Sequence, residues 1–395
     1  MAFEQGGAIG GIALYHCQRG SCPMKYFVIA GEASGDLHAA HLMEAVRQED
    51  HEALFVGLGG DKMRSAGCDI RVDYRDMAYM GVVAVLRNLH KVQHNFRIAH
   101  HALLTERPDV LILIDYPSFN LRIAQFCKKH LPDTKVVYYI PPKVWAWKAW
   151  RVHKIARYSD KVLGIFPFEP TYYQRFGYEC QYVGNPTTDC IREWRALQKT
   201  SKNDTFANGD SRPVIAILPG SRPSEIKHCL PTMLEAARKV AKADYQIVVT
   251  AAPGIDDAFY TRYLQNERLT RDTYGCVTQA QAAVVNSGTA TLETALLGCP
   301  QTAVYYIACS KWLEWLIRPI LFKIKHFTLV NIIADKEVIK ELVAKKFTAT
   351  NIEHELTRLL KDKAYRKQML CGYDEVRDTL GARPAAKTAA KIIVC

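Results

Sequence analysis

From Lys25 onward, short runs of β-branched and aromatic residues alternate with longer amphipathic stretches. The runs Tyr26–Ala30, Leu54–Gly57, Val110–Asp115, Lys135–Ile140 and Lys161–Ile165 read as strands, with helical patterns between them. That spacing predicts βαβ units and a parallel sheet. The pattern lapses over residues 195–212, a polar stretch broken by Gly and Pro that reads as a linker or insertion. A second alternation follows, with strands at Val214–Leu218, Gln246–Thr250, Ala282–Val285 and Gln301–Tyr305 and helices over 224–242 and 289–297. Beyond Asp335 the pattern becomes almost wholly helical. The expectation is an α/β protein of two doubly wound, Rossmann-like domains, 24–194 and 213–345, followed by C-terminal helices over 346–395. Residues 1–23 are Gly-rich and aperiodic, and Glu4 and the Gly pairs do not fit a signal peptide; they read as a disordered extension or an early start.

Composition agrees with two cores. The chain has 395 residues, 49% hydrophobic and 23% charged, which excludes wholesale disorder. No apolar run reaches the ~20 residues that cross a bilayer. Twelve cysteines without C-x2-C pairs point to reduced thiols rather than a disulfide framework or zinc site. The net charge of +12 calls for an anionic partner: nucleic acid, an anionic lipid surface or a phosphorylated small molecule.

In open parallel sheets ligands sit at the carboxyl ends of the strands, so the loops there come first. Strand one runs into Ala30-Gly31-Glu32-Ala33-Ser34-Gly35-Asp36. Its glycines allow close approach and the following helix start favours an anion or polar group, though Ser34 or Asp36 could simply cap the helix. Asp115 ends an apolar strand, where a half-buried carboxylate can act as a base or cap the next helix. Ile140 to Arg151 interleaves Trp145, Trp147 and Trp150 with Lys143, Lys148 and Arg151, which suits stacking on a sugar or nucleic-acid base as well as core cover. In the second half, Gly220-Ser221-Arg222 and Ser287-Gly288-Thr289 each follow a strand and open a helix, offering N–H groups and a guanidinium to a diphosphate; Glu293, one turn in, could take a ribose diol. Capping by Ser287 or Thr289 is the plainer alternative. Met80–Leu89 and Ser310–His326 combine apolar residues with Arg, Lys or His, a pattern shared by interfacial helices and core-facing stripes.

Taken together these segments resemble the lipid-A-disaccharide synthase family of inverting GT-B glycosyltransferases. The anchors are A-G-E-A-S-G-D (30–36), M-G-x-V-x-V-L (80–86), I-D-x-P-x-F-N-L (114–121), V-W-A-W (144–147), P-F-E (167–169), L-P-G-S-R (218–222) with Glu225, S-G-T-A-T-L-E (287–293) and the segment from Asn331 to Glu341. The resemblance implies transfer of 2,3-diacylglucosamine from its UDP conjugate to 2,3-diacylglucosamine 1-phosphate, giving a β-1,6 disaccharide and UDP. It implies Asp115 as general base, with Ser34 and Glu32 at the sugar. Arg222, Ser287, Gly288, Thr289, Glu293 and Asn331 would hold UDP, and Val83, Val85, Leu86 and Leu89 would form a patch for acyl chains and the cytoplasmic face of the inner membrane. It also implies a GT-B fold whose C-terminal helices pack back on the N-terminal domain, and leaves a homodimer open. No Asp-x-Asp motif occurs, so neither a metal held in that style nor another cofactor is expected. Two departures stand out: Lys143 where the family carries Ser, and Asn185 where it carries His; neither is assigned a catalytic role. The stretch before Ala282 is short for the family, which leaves a strand between Leu264 and Thr273 open. Rival readings are another GT-B UDP-sugar transferase or a UDP-sugar epimerase, which need no apolar patch, and a non-catalytic nucleic-acid binder, for which no recognised motif appears.

Overall fold

The computed structural model describes residues 23–76, 89–145, 149–200, 210–306 and 325–395. Its strands form two sheets. The first takes β1 (Lys25–Ala30), β2 (Leu54–Gly59), β3 (Cys68–Asp73), β4 (Val110–Ile114), β5 (Lys135–Tyr139), β6 (Lys161–Gly164) and β7 (Gln181–Tyr182) in the order β3-β2-β1-β4-β5-β6-β7. The second takes β8 (Val214–Leu218), β9 (Gln246–Thr250), β10 (Arg268–Thr270), β11 (Ala280–Asn286), β12 (Gln301–Tyr305) and β13 (Lys340–Val343) in the order β10-β9-β8-β11-β12-β13. Every pairing is parallel. Around the first sheet lie α1 (Ala33–Glu49), α2 (Asp61–Ser65), α3 (Leu89–Glu106), α4 (Pro117–His130), α5 (Arg151–Tyr158), α6 (Glu169–Gln174) and α7 (Pro186–Thr200). The second half adds α8 (Pro223–Ala241), α9 (Asp257–Thr261), α10 (Thr273–Gln279), α11 (Thr289–Leu297), α12 (Leu329–Ala334), α13 (Ala349–Lys361), α14 (Lys363–Leu380) and α15 (Ala385–Val394).

Strands buried on both faces read as unbroken apolar runs, and β1 is the clearest case. Tyr26, Val28 and Ala30 face a core shared with α1 and α15, while Phe27 and Ile29 face the opposite core under α3 and α4. Gly57 of β2 lets the strands pass: a Cβ there would stand 2.1 Å from the Val28 carbonyl oxygen. The strands that hydrophobic runs do not reveal are edge strands. β3 reads Cys-Asp-Ile-Arg-Val-Asp, half-buried and alternating, and β7 has only two residues. β13 is the exception to the almost wholly helical pattern after Asp335: Lys340–Val343 pairs with β12 as an edge strand. β10 supplies the strand left open between Leu264 and Thr273. Helix α7 continues to Thr200, into the stretch that composition reads as a linker; residues 201–209 of that stretch lie outside the described residues.

Of the C-terminal helices, α13 and α14 stay on the second sheet and α15 crosses back to lie along α1. Small residues make that approach close: Ala385, Ala389 and Ala390 are fully buried, as is the larger Ile393. Both ends of α15 are pinned. The Ala385 N–H donates to Asp189 Oδ2 at 2.6 Å, and Lys135 and Lys161 Nζ donate to the Ile393 and Ile392 carbonyls at 3.1 and 2.6 Å, placing positive charge at the helix C-terminus. Replacing Ile393 by Ala should lower the stability of the first half by about 3 kcal/mol, read as a shifted urea midpoint; an unchanged midpoint would mean that α15 is not docked on α1.

Candidate active site

Strand order reverses between β1 and β4 in one sheet and between β8 and β11 in the other, and at such switch points the loops part and leave a crevice. The four loops leaving these strands carry Glu32 and Ser34, Asp115, Arg222, and Ser287 to Thr289.

At β1, Gly31 is required by a close approach: a Cβ would lie 2.3 Å from Cγ of Tyr116, whose ring rests against the turn. The A-G-E-A-S-G-D motif then divides. Asp36 is buried and accepts from the Gly60, Lys62 and Met63 N–H groups at 2.7, 3.0 and 3.2 Å, tying α1 to the start of α2. Glu32 and Ser34 remain outward, Glu32 half-buried and Ser34 exposed. Glu32 itself occupies the N-cap position without a side-chain capping bond, so neither Ser34 nor Asp36 caps the helix.

Asp115 follows β4 in a strained turn. Asp115 and Tyr116 both have φ of 44° and Ile140, at the neighbouring end of β5, has φ of 59°. Left-handed backbone costs about 1–3 kcal/mol at a non-glycine residue, most at a β-branched one. Three hydrogen bonds fix it: the Asp115 N–H to the Ile140 carbonyl at 3.1 Å, and the Tyr138 hydroxyl and Asn120 amide to the Asp115 carbonyl at 2.7 and 2.8 Å. The backbone groups are thereby used up while the carboxylate stays half-buried at the crevice. Burial pushes that carboxyl above the ordinary aspartate range, opposed by the Lys143 ammonium, the Tyr116 N–H and Arg222.

On the second sheet, Gly220 adopts φ of 119°, and Glu225 folds back so that its Oε2 accepts from the Ser221 N–H at 3.0 Å. Arg222 pairs with Glu225 Oε1 at 3.0 Å and reaches across the crevice to Glu32 Oε2 at 3.5 Å. Burial raises the Glu32 carboxyl as well, with Arg222 opposing and Asp115 adding to the rise. Gly288, not Ser287 or Thr289, is the N-cap of α11 and makes no side-chain cap bond. The Ser287 and Thr289 hydroxyls make no hydrogen bond with a described residue. Glu293 is half-buried, accepts from the Tyr274 hydroxyl at 2.9 Å, and has its carboxyl raised by burial.

Asn331 does not join this group at the crevice surface. It is fully buried, its Oδ1 accepts from the Val338 and Ile339 N–H groups at 2.8 and 3.0 Å, and its Nδ2 donates to the Ile339 carbonyl and Glu341 Oε1, both at 2.9 Å. Glu341 in turn accepts from the Thr328 N–H and hydroxyl at 2.8 and 2.7 Å. The Asn331 amide thus holds the loop before β13. Asn185 is likewise buried, accepting from the Thr187 N–H at 3.0 Å and donating to the Ile165 carbonyl at 3.0 Å.

Glu169 is the residue that pattern reading undervalues. It is wholly buried and accepts from Trp145 Nε1 at 3.2 Å and from the Ile165 and Phe166 N–H groups at 2.7 and 2.9 Å. Burial pushes its carboxyl up to about 7, against the pull of those donors. An acid directly after the apolar run Ile165 to Phe168 is the available signal, since such a group must be paired when buried. At the end of β12, Tyr305 and Tyr306 are partly exposed and His228 stacks on Tyr306 with centroids 4.7 Å apart, beside the Arg222 loop. Val83, Val85 and Leu86 lie outside the described residues, as do Trp147 and most of Ser310–His326; Leu89 opens α3. Downstream in α3, a groove of about 370 Å³ against α4 is lined by Phe96, His100, Arg122, Phe126, Lys129 and His130.

Two parallel sheets, each with its switch-point loops on a shared crevice and with anion-type helix starts on the second, define the GT-B class of sugar-nucleotide enzymes. Solved structures agree on the fold: a Methanocaldococcus jannaschii UDP-GlcNAc 2-epimerase in complex with UDP-GlcNAc and UDP has a TM-score of 0.64 at 11% identity, covering 94% of this chain and 99% of that one. The calicheamicin glycosyltransferase has a TM-score of 0.57 at 13% identity, covering 94% and 98%. The family model described as lipid-A-disaccharide synthetase matches residues 26–393, and the chain belongs to that family. It is similar to the lipid-A-disaccharide synthases of Trichlorobacter lovleyi, 37% identical over 94% of this chain and 97% of the relative, and of Koribacter versatilis, 36% identical over 93% and 96%. The chain is accordingly a glycosyltransferase of lipid A biosynthesis.

Replacing Glu169 by Ala leaves three N–H donors facing an empty site. The expected cost is about 3 kcal/mol or more in denaturant unfolding, whereas a loss below about 1 kcal/mol would mean that Trp145 is held by other contacts.

Proposed function

We propose that the crevice transfers a 2,3-diacylglucosaminyl group from its UDP conjugate to the 6-hydroxyl of 2,3-diacylglucosamine 1-phosphate. Asp115 is the general base. The acceptor oxygen attacks the anomeric carbon, its proton passes to the Asp115 carboxylate, and the bond from that carbon to the UDP oxygen breaks on the opposite face. One displacement inverts the configuration and gives the β-1,6 disaccharide 1-phosphate and UDP. Charge that builds on the departing diphosphate is met by Arg222 and by the N–H groups at the starts of α8 and α11. Ser287, Gly288 and Thr289 cradle the phosphates, Glu293 takes the ribose, and Glu32 and Ser34 line the sugar site. Asn331 belongs to the UDP side as well, on the loop its amide holds before β13. On this reading 24–194 is the acceptor side and 213–345 the donor side. The observation that carries it is the contact across the crevice: Glu32, beside Asp115 on one sheet, meets Arg222 on the other at 3.5 Å.

The lipid substrates place the reaction at a membrane surface. We assign Val83, Val85, Leu86 and Leu89 to contact with acyl chains at the cytoplasmic face of the inner membrane. The groove between α3 and α4 supports a membrane-facing surface: α4 has no acidic residue, and His100 stacks on Phe126 at 3.7 Å beside Arg122 and Lys129. No helix of the described residues is long and apolar enough to cross a membrane.

Purified protein given the UDP-linked diacyl sugar and the 1-phosphate acceptor should release UDP and disaccharide. Turnover of an unacylated UDP-sugar alone would favour the epimerase reading instead. Asp115→Asn should cut kcat by about 10²- to 10⁴-fold with UDP affinity within about threefold, and a near-normal rate would remove Asp115 from the base role. The base must be ionised, so kcat/KM should fall as pH drops through its raised pKa. An acid limb in the ordinary aspartate range, near 3.9, would contradict that environment.

A further inference from the structure

The crevice holds carboxylates from both sheets, and its two described cations are used differently. Arg222 is shared between Glu32 at 3.5 Å and Glu225 at 3.0 Å. Lys143 is exposed and makes no hydrogen bond or ion pair with any described residue. Its place is nevertheless fixed. Ile140 turns the chain away from β5 while bonded to Asp115, Pro141, Pro142 and Val144 are buried, and the Val144 N–H donates to the Pro142 carbonyl at 2.6 Å. The Tyr172 hydroxyl donates to the Val144 carbonyl at 3.2 Å, and Trp145 is held by Glu169. A rigid segment thus presents one unspent ammonium beside the base. Its charge is felt at both acids, since it opposes the upward shifts of Asp115 and Glu32.

We propose that Lys143 binds the phosphate of the acceptor sugar and so selects a phosphorylated acceptor. The proposal rests on the transfer reading above. A phosphate dianion brought onto the acceptor side meets Glu32 and Asp115, and repulsion would exclude it unless a cation answers. Arg222 is already divided between two carboxylates and lies with the helix starts that suit the donor diphosphate. Lys143 stands on the same sheet as Asp115, one strand over. With the 6-hydroxyl at Asp115, the acceptor phosphate lies across one pyranose ring, a span that a four-carbon stem with three rotatable donors can cover. A serine at this position would have neither the charge nor the reach.

The test is steady-state kinetics of the wild type, Lys143→Ser and Lys143→Arg, each with the acceptor carrying or lacking its phosphate. In the wild type, removing the phosphate should cost roughly tenfold in kcat/KM, mainly through the acceptor KM. Lys143→Ser should lose a similar factor on the phosphorylated acceptor and little more when the phosphate is also removed, and Lys143→Arg should recover most of the loss. Equal losses on the two acceptors, or a loss confined to the donor KM, would overturn the assignment. Calorimetric titration with the two acceptors needs no turnover and should give the same contrast. Its absence there overturns the role of Lys143 even if disaccharide forms, whereas a wild type that binds with the contrast but makes no disaccharide counts against the transfer reading alone.

Discussion

Every strand in both sheets runs parallel to its neighbours, and that constraint decides where chemistry can occur. Parallel pairing sends all carboxyl ends of a sheet to one edge, and a reversal of strand order opens a crevice there. In this chain the reversals fall between β1 and β4 and between β8 and β11, and the loops leaving those four strands are the ones that carry Glu32, Asp115, Arg222 and Ser287. The edges meet where Arg222 approaches Glu32 at 3.5 Å. Strain gathers at the same edge: Asp115, Tyr116 and Ile140 hold left-handed backbone that Tyr138 and Asn120 stabilise from below.

Residues within one motif divide by burial into two kinds of work. Asp36, Glu169, Asn185, Asn331 and Glu341 spend their polar atoms on backbone or side chains and set the shape of the loops. Glu32 and Arg222 meet each other across the crevice, Asp115 is half-buried beside Glu32, and Ser34 and Thr289 are exposed. A buried polar group must be fully paired, so it is fixed by the fold, whereas a group at the surface remains available to substrate. Glu225 stands between the two, shaping the Gly220 turn and sharing Arg222.

Much of the fold was legible because strands buried on both faces leave unbroken apolar runs, as in Tyr26 to Ala30 and Val214 to Leu218. Edge strands leave no such trace: Cys68–Asp73 alternates, Gln181–Tyr182 is too short, and Lys340–Val343 begins with two charges. The start of the polar stretch reads as a linker although α7 runs into it, because that helix is exposed there and an exposed helix is as polar as a loop. For the site, the loops were legible from their place after strands, but the direction of a side chain was not. Nothing in the Asn331 segment shows in advance that its amide holds Val338 and Ile339.

The central claim is that two sheets supply one site whose charges act together. A double-mutant cycle over Glu32→Gln, Arg222→Gln and the pair, read on kcat/KM for disaccharide formation, tests it most directly. Joint action predicts that the double variant loses less than the product of the single losses, by a factor of about three or more, as expected for a partly exposed ion pair. Losses that multiply independently would mean that the two residues serve separate sites and that the crevice is not a single active centre.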